Sequence, residues 1–267
     1  MNVTIRTDAD AGTTPRVTTP LAMAFVRTPL ILLGMSVAFV VFVARGYPDA
    51  LPLAATTSTI AVTVTNVVNL GLLRRLLHRE GRRVRALIGF NRTRLARDVG
   101  WGFVWLFAFY ALFVIPLVLV PLAIFQPTTA AEFQAAYAQT FTGLYADLQT
   151  TNAIPAWLGI IVGVSFPFLN APVEELHYRG WVQPRLAAAT GRLSVGIAIA
   201  ALGFGLQHIL FAASLAGAVT YFFAFVLWGG AAGLVYQRQK RLLPLIVAHF
   251  LTNLPFGVLP VVFSLTG

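Results

Sequence analysis

Seven stretches of this chain run apolar for long distances with hardly a charge inside them: 28–44, 51–73, 101–125, 155–173, 193–212, 215–236 and 242–263. A hydrocarbon core about 30 Å thick needs roughly 20 residues of helix to cross it. The runs are continuous rather than alternating, and an open sheet cannot satisfy its backbone in lipid. The expected fold is therefore all-α: a polytopic transmembrane helical bundle of about seven to eight spans. The first run is short, and the fourth ends on charged residues.

Composition agrees. The chain is 58% apolar and only 10% charged, whereas soluble domains are nearer about 45–50% and about 25%. There is no cysteine, which excludes disulfides, a thiolate nucleophile and zinc–cysteine sites. The 19 basic and 9 acidic residues leave +10. On a soluble protein that excess would suggest nucleic acid. A mean hydropathy of +0.78 points to lipid instead, and no nucleic-acid partner is expected.

The basic residues orient the bundle. Segment 74–100 holds Arg74, Arg75, Arg79, Arg82, Arg83, Arg85, Arg92, Arg94 and Arg97 against Glu80 and Asp98, so it should be cytoplasmic. Counting spans from it puts Arg6, Arg16 and Arg27 inside as well, together with Arg185, Arg192, Arg238, Lys240 and Arg241. Arg45 alone falls outside. The expectation is a multi-pass integral membrane protein with a cytoplasmic N-terminus, its basic loop lying against anionic inner-leaflet lipids.

Three regions follow from this reading. Residues 1–20 form a disordered tail without the features of a secretory signal. Residues 21–154 hold the first spans, the basic loop and an external segment, and residues 155–267 hold the polar chemistry. In the external segment Phe133, Tyr137, Phe141, Leu144, Tyr145 and Leu148 recur at spacings of three and four. That spacing predicts an interfacial amphipathic helix, a packing element more than a substrate lid. Prolines interrupt several spans (Pro116 and Pro121, Pro167 and Pro172, Pro255 and Pro260), each deleting a backbone donor. Gly229 and Gly233 form a GxxxG that close helix packing explains.

Ionisable side chains inside apolar spans cost a few kcal/mol, so they are functional candidates. Three groups stand out: Glu174-Glu175-Leu176-His177-Tyr178-Arg179, Phe204-Gly205-Leu206-Gln207-His208 and His249-Phe250-Leu251-Thr252-Asn253. Glu175 and Arg179 are i,i+4 with the acid first, the better order for an ion pair. Phe204 lies one turn before His208 and can pack on its ring. His249 and Asn253 are i,i+4 and can point at one spot. His177 and His78 have no helical partner, and no role is assigned to them.

In order, Glu174-Glu175-x-x-x-Arg179, Phe204-x-x-x-His208 and His249-x-x-x-Asn253 resemble the three motifs of the CPBP intramembrane proteases, the type II CAAX prenyl endopeptidase or Abi family. The resemblance covers about residues 155–260. It implies peptide-bond hydrolysis in the membrane, on a membrane-associated peptide or a lipidated, CAAX-type protein. Glu174 would be the general base and His208 would share the water. His249 and Asn253 would donate to the developing oxyanion, with Glu175, Arg179 and Phe204 in support. No cofactor is expected. A zinc-dependent version would use the same histidines and glutamate as ligands. A non-catalytic immunity or scaffold protein would use the same cluster for binding.

Depth poses a problem. Glu174 stands at the inner end of its run and His249 seven residues into its own, while His208 is fifteen residues past Leu193, about 22 Å of helix. Either 173–190 re-enters the membrane or the fifth helix begins as a cytoplasmic extension. The site is expected to open to the cytoplasm.

Overall fold

The computed structural model describes residues 17–48, 50–141 and 155–266, and among them there is no strand. The helices in chain order are α1 (Thr18–Phe25), α2 (Arg27–Ala44), α3 (Ala50–Thr56), α4 (Ser58–Arg79), α5 (Val84–Ile88), α6 (Leu95–Phe125) and α7 (Ala130–Thr140). They are followed by α8 (Ala156–Glu175), a π-helical segment (Leu176–Val182), α9 (Gln183–Thr190), α10 (Leu193–His208), α11 (Leu215–Gln239) and α12 (Leu243–Thr266). Six stretches among the described residues are long and apolar enough to cross a membrane: Thr18–Ala44, Ser58–Arg79, Val84–Phe125, Ala156–Thr190, Leu193–Phe211 and Leu215–Gln239. The apolar helix α12 packs beside them as a seventh. The chain is an integral membrane protein of the all-α class.

Large apolar side chains such as Leu33, Val40, Phe107, Trp157 and Leu215 point outward, as they must where the solvent is lipid. Lipid is as apolar as leucine, so helices are held by close packing and polar contacts instead of by the hydrophobic effect. Gly163 of α8 and Gly257 of α12 show this packing: a Cβ on either would meet the other's backbone carbonyl. The GxxxG works the same way. A Cβ on Gly229 would lie 3.0 Å from Ala201 Cα, and one on Gly233 2.8 Å from Gln183 Oε1. An aromatic series leads inward from exposed Trp101 through Trp105 to buried Phe109 and Trp228, at centroid spacings of 5.5, 6.1 and 5.1 Å.

Several expectations change. The tail expected through residue 20 is shorter, because α1 already begins at Thr18; residues 1–16 lie outside the described residues. The short first run belongs to a 27-residue stretch, Thr18–Ala44. Arg27 is therefore no flanking charge but a fully buried side chain within it. Pro116 and Pro121 sit buried inside an unbroken α6. The helix expected in that segment exists as α7, where Phe133, Tyr137 and Phe141 form a ring series that continues to Tyr221 of α11. Its end is tied down, since Ser214 Oγ donates to the Thr140 carbonyl at 2.6 Å. Leu144, Tyr145 and Leu148 lie outside the described residues.

The largest correction concerns the fourth run. It does not end at 173 but continues through the π segment to Thr190, because the charges met there are neutralised inside the bundle. With α10 it forms a hairpin. Glu174 stands sixteen residues before Thr190 and His208 fifteen after Leu193, about 24 and 22 Å of rise. A Cβ on Gly180 would lie 3.1 Å from Leu242, which sets the start of α12 level with residue 180. From that level Glu174 and His249 lie about 9 and 10 Å along their antiparallel helices. The depths match without re-entry.

Candidate functional site

Glu174 and Glu175 close α8, at the entry to a π segment whose seven residues are all buried. Single π turns inside α-helices are frequent at functional sites. Both carboxylates are buried, and each has one oxygen engaged and one free. Glu175 Oε1 accepts from Arg179 Nη1 at 3.2 Å and from His249 Nδ1 at 2.9 Å. Arg179 Nη2 donates to the Gly229 carbonyl at 3.3 Å, and its guanidinium lies 4.7 Å from the Phe204 ring centroid. The GxxxG thus contributes a bare carbonyl as well as close packing.

Glu174 Oε1 accepts from Arg27 Nη2 at 2.6 Å and from Gln207 Nε2 at 2.8 Å. Its Oε2 has no hydrogen-bond partner among the described residues and lies 3.4 Å from His249 Nε2. His249 therefore stands between the two glutamates, one ring nitrogen toward each.

His208 Nδ1 is 2.6 Å from the Phe204 carbonyl. A carbonyl only accepts, so Nδ1 carries the hydrogen and Nε2 is the acceptor. The ring is stacked on Phe225 with centroids 3.4 Å apart and planes 12° apart, and it lies close enough to Glu174 to interact electrostatically. Phe204 organises the cluster. Its ring centroid is 4.7 Å from His208, 6.0 Å from His249 and 5.4 Å from Tyr178. Asn253 sits one turn beyond His249, buried, with Nδ2 lacking a partner among the described residues.

Helices α8, α10 and α12 thus bring Glu174, Glu175, Arg179, Phe204, His208 and His249 into one cluster. A second ring of polar groups, to which the sequence reading gave no role in the site, surrounds it: Arg27, Asn66, Asn170 and Gln207. Arg27 Nε donates to Gln207 Oε1 at 2.7 Å, Nη1 to Asn66 Oδ1 at 2.9 Å, and Nη2 to Asn170 Oδ1 at 3.5 Å. Asn66 Nδ2 donates to Asn170 Oδ1 at 3.0 Å. The signal was present, for Arg27 has apolar sequence on both sides, Leu21 to Val26 before it and Leu30 to Leu33 after. His177 is structural: its Nε2 meets the Met23 carbonyl at 2.8 Å and docks α1 against the π segment.

Zinc needs three protein ligands converging on one point. Among the described residues no three His, Cys, Asp or Glu side chains do so. The cation beside Glu174 is the Arg27 guanidinium, held on Oε1.

No curated protein and no solved structure matches the chain. Residues 155–255 do match a family model, described as type II CAAX prenyl endopeptidase Rce1-like. That segment carries all three polar groups and the cluster they form. Over that segment, the C-terminal core of this integral membrane protein is similar to the type II CAAX prenyl endopeptidase family.

Proposed function

We propose that the protein is an intramembrane endopeptidase in which Glu174 activates a water to hydrolyse a peptide bond of a membrane-associated substrate, a prenylated CAAX-type C-terminus being the first class to test. One observation carries this reading: Glu174 is anchored through Oε1 alone, so that a buried carboxylate oxygen is left free 3.4 Å from an imidazole nitrogen. A general base must reach the proton it takes, directly or through one water, and such help contributes roughly 10²–10⁴-fold.

In this mechanism Glu174 Oε2 takes the proton of the attacking water, which His208 Nε2 helps to hold as a second acceptor. The carbonyl oxygen of the scissile bond gains charge as the water adds. Asn253 Nδ2, a buried donor with no partner among the described residues, is suited to receive that charge. His249, held at Nδ1 by Glu175 Oε1, turns its Nε2 toward the Glu174 Oε2 side of the site and is the second group assigned to the oxyanion. Glu175 and Arg179 hold His249, and Phe204 holds His208. The proton on Glu174 passes to the leaving amine as the bond breaks.

The N-terminus is assigned to the cytoplasm. In support, the ion pairs Glu80–Arg185 and Asp98–Arg241 gather the basic loop, α9 and the α11–α12 junction at one end of the bundle, as the positive-inside rule requires. Anionic lipid is the expected neighbour there. Arg75 and Arg79 border a cavity of about 470 Å³ floored by Met23, Leu72 and Leu76, a shape and charge that suit a phospholipid.

The test is hydrolysis of a fluorogenic farnesylated CAAX-type peptide by detergent-solubilised protein, beside the same peptide without the prenyl group. Wild type should cleave, and Glu174→Gln, which keeps the acceptor for Arg27, should fall at least about 10²-fold with its folding intact. Cleavage by Glu174→Gln at the wild-type rate would remove the mechanism. A wild type that cleaves neither peptide would favour a binding role for the cluster.

A further inference from the structure

We propose that Arg27 is a positioning residue of the hydrolytic site: by holding Glu174 through Oε1 it makes Oε2 the working oxygen, and so makes the first span an obligate part of the active site. The inference rests on the reading of Glu174 as the general base. Arg27 lies 147 residues from Glu174, outside the segment that matches the family model.

Arg27 is fully buried and uses Nε, Nη1 and Nη2, each on a different side chain. The arrangement closes on itself. Gln207 accepts from Arg27 Nε and donates to the same Glu174 oxygen that Arg27 Nη2 holds. Asn66 accepts from Arg27 Nη1 and donates to Asn170. Two donors converging on Oε1 stop the carboxylate from rotating and exchanging its oxygens. Neither engages Oε2, which therefore stays aimed at His249 Nε2. A planar guanidinium spreads its donors over three nitrogens and so reaches three separated side chains, whereas the donors of an ammonium all radiate from one atom.

The carboxylate also needs the cation. Taking a carboxylate out of water is costly unless an opposite charge and hydrogen bonds meet it. Arg179, the other arginine among the buried residues, is committed to Glu175 and the Gly229 carbonyl. Of the groups around Glu174, Gln207 brings a neutral dipole and His249 is shared with Glu175, so Arg27 is its dedicated counter-charge.

The experiment compares Arg27→Gln, Arg27→Lys and Asn66→Ala with wild type and Glu174→Gln, measuring kcat, KM and the thermal midpoint on the farnesylated fluorogenic peptide. Misplacing a reacting group by about 1 Å costs about 10²-fold. Arg27→Gln should therefore lower kcat about 10²-fold with KM within about twofold. Arg27→Lys should restore part of that loss, because one ammonium still reaches Oε1. Asn66→Ala, whose side chain touches Arg27 but not Glu174, should lower kcat about tenfold. It keeps the test open if Arg27→Gln fails to fold. Wild-type kcat in Arg27→Gln or a kcat above wild type overturns the proposal. So does a loss that only tracks the folded fraction and that Arg27→Lys leaves unrescued. If wild type cleaves, Glu174→Gln does not and the Arg27 variants cleave at full rate, only the positioning role falls. If wild type leaves the peptide intact, the protease reading falls and takes this role with it.

Discussion

A guanidinium buried in an apolar bundle needs every face satisfied, and Arg179 meets that demand with three different partners. Nη1 reaches Glu175, Nη2 reaches the Gly229 carbonyl, and the plane lies over Phe204. Lysine has neither the second donor arm nor the flat face. Arg179→Lys should therefore lose the bond to Gly229 and destabilise the fold by about 1.5–3 kcal/mol, the range for hydrogen bonds to charged groups. Unfolding by thermal scan in detergent reads this as a lowered midpoint; a midpoint equal to wild type would show that the Gly229 contact contributes nothing. The Glu175–Arg179 pair was legible in the sequence, because i,i+4 spacing on a helix is a local rule. The Arg27–Glu174 pair was not, since spacing rules end where a helix ends. A buried arginine near the N-terminus reads, from sequence alone, as one more charge on a cytoplasmic flank.

Among the helices, α7 is the one whose start is set by solvent-exposed groups. Thr129 Oγ1 accepts from the Glu132 amide at 3.2 Å, and Glu132 Oε2 accepts from the Thr128 amide at 2.7 Å, a reciprocal cap of the Thr-x-x-Glu kind. The Thr128 amide and hydroxyl hold the Glu132 carboxyl below its usual value of 4.5. A group with a depressed folded pKa contributes its stabilisation above the ordinary value and loses it as pH falls through the lowered one. After correction for intrinsic exchange rates, α7 amides should keep their protection from neutral pH down to about the ordinary glutamate range. They should lose it only on further acidification, and Glu132→Gln should be less protected at neutral pH. Equal protection in Glu132→Gln at every pH would refute the cap. The α8 helix shows the opposite case of legibility. Its continuation to Thr190 was hidden because helix ends were inferred from charges, and the partners that neutralise Glu174 and Glu175 sit on other helices. The mismatch in depth between Glu174 and His208 was the trace it left.

For the whole molecule, Glu80 and Asp98 have a use that a charge count hides. Counted within segment 74–100 they offset two of its nine arginines, yet they pair instead with Arg185 and Arg241. The basic loop is thereby latched to the C-terminal half, and among the described residues its own arginines form no ion pair with either acid. Since the chain has no cysteine, single cysteines report topology without background. Arg82→Cys and Arg192→Cys should react with an impermeant maleimide only once the cytoplasmic face is opened, and Ala131→Cys, in the exposed first turn of α7, in intact cells. Labelling of Arg82→Cys and Ala131→Cys from the same side would overturn the orientation. The sequence by itself determined the helical bundle, its approximate spans and the three polar motifs. Insertion cost and helical periodicity are local quantities, readable one segment at a time. Only the tertiary structure decided that the first span supplies the counter-charge, that Glu174 keeps Oε2 free, and that His249 stands between two carboxylates. Those facts depend on how seven helices cross, and helices in lipid choose their neighbours by close packing and buried hydrogen bonds between residues far apart in the chain.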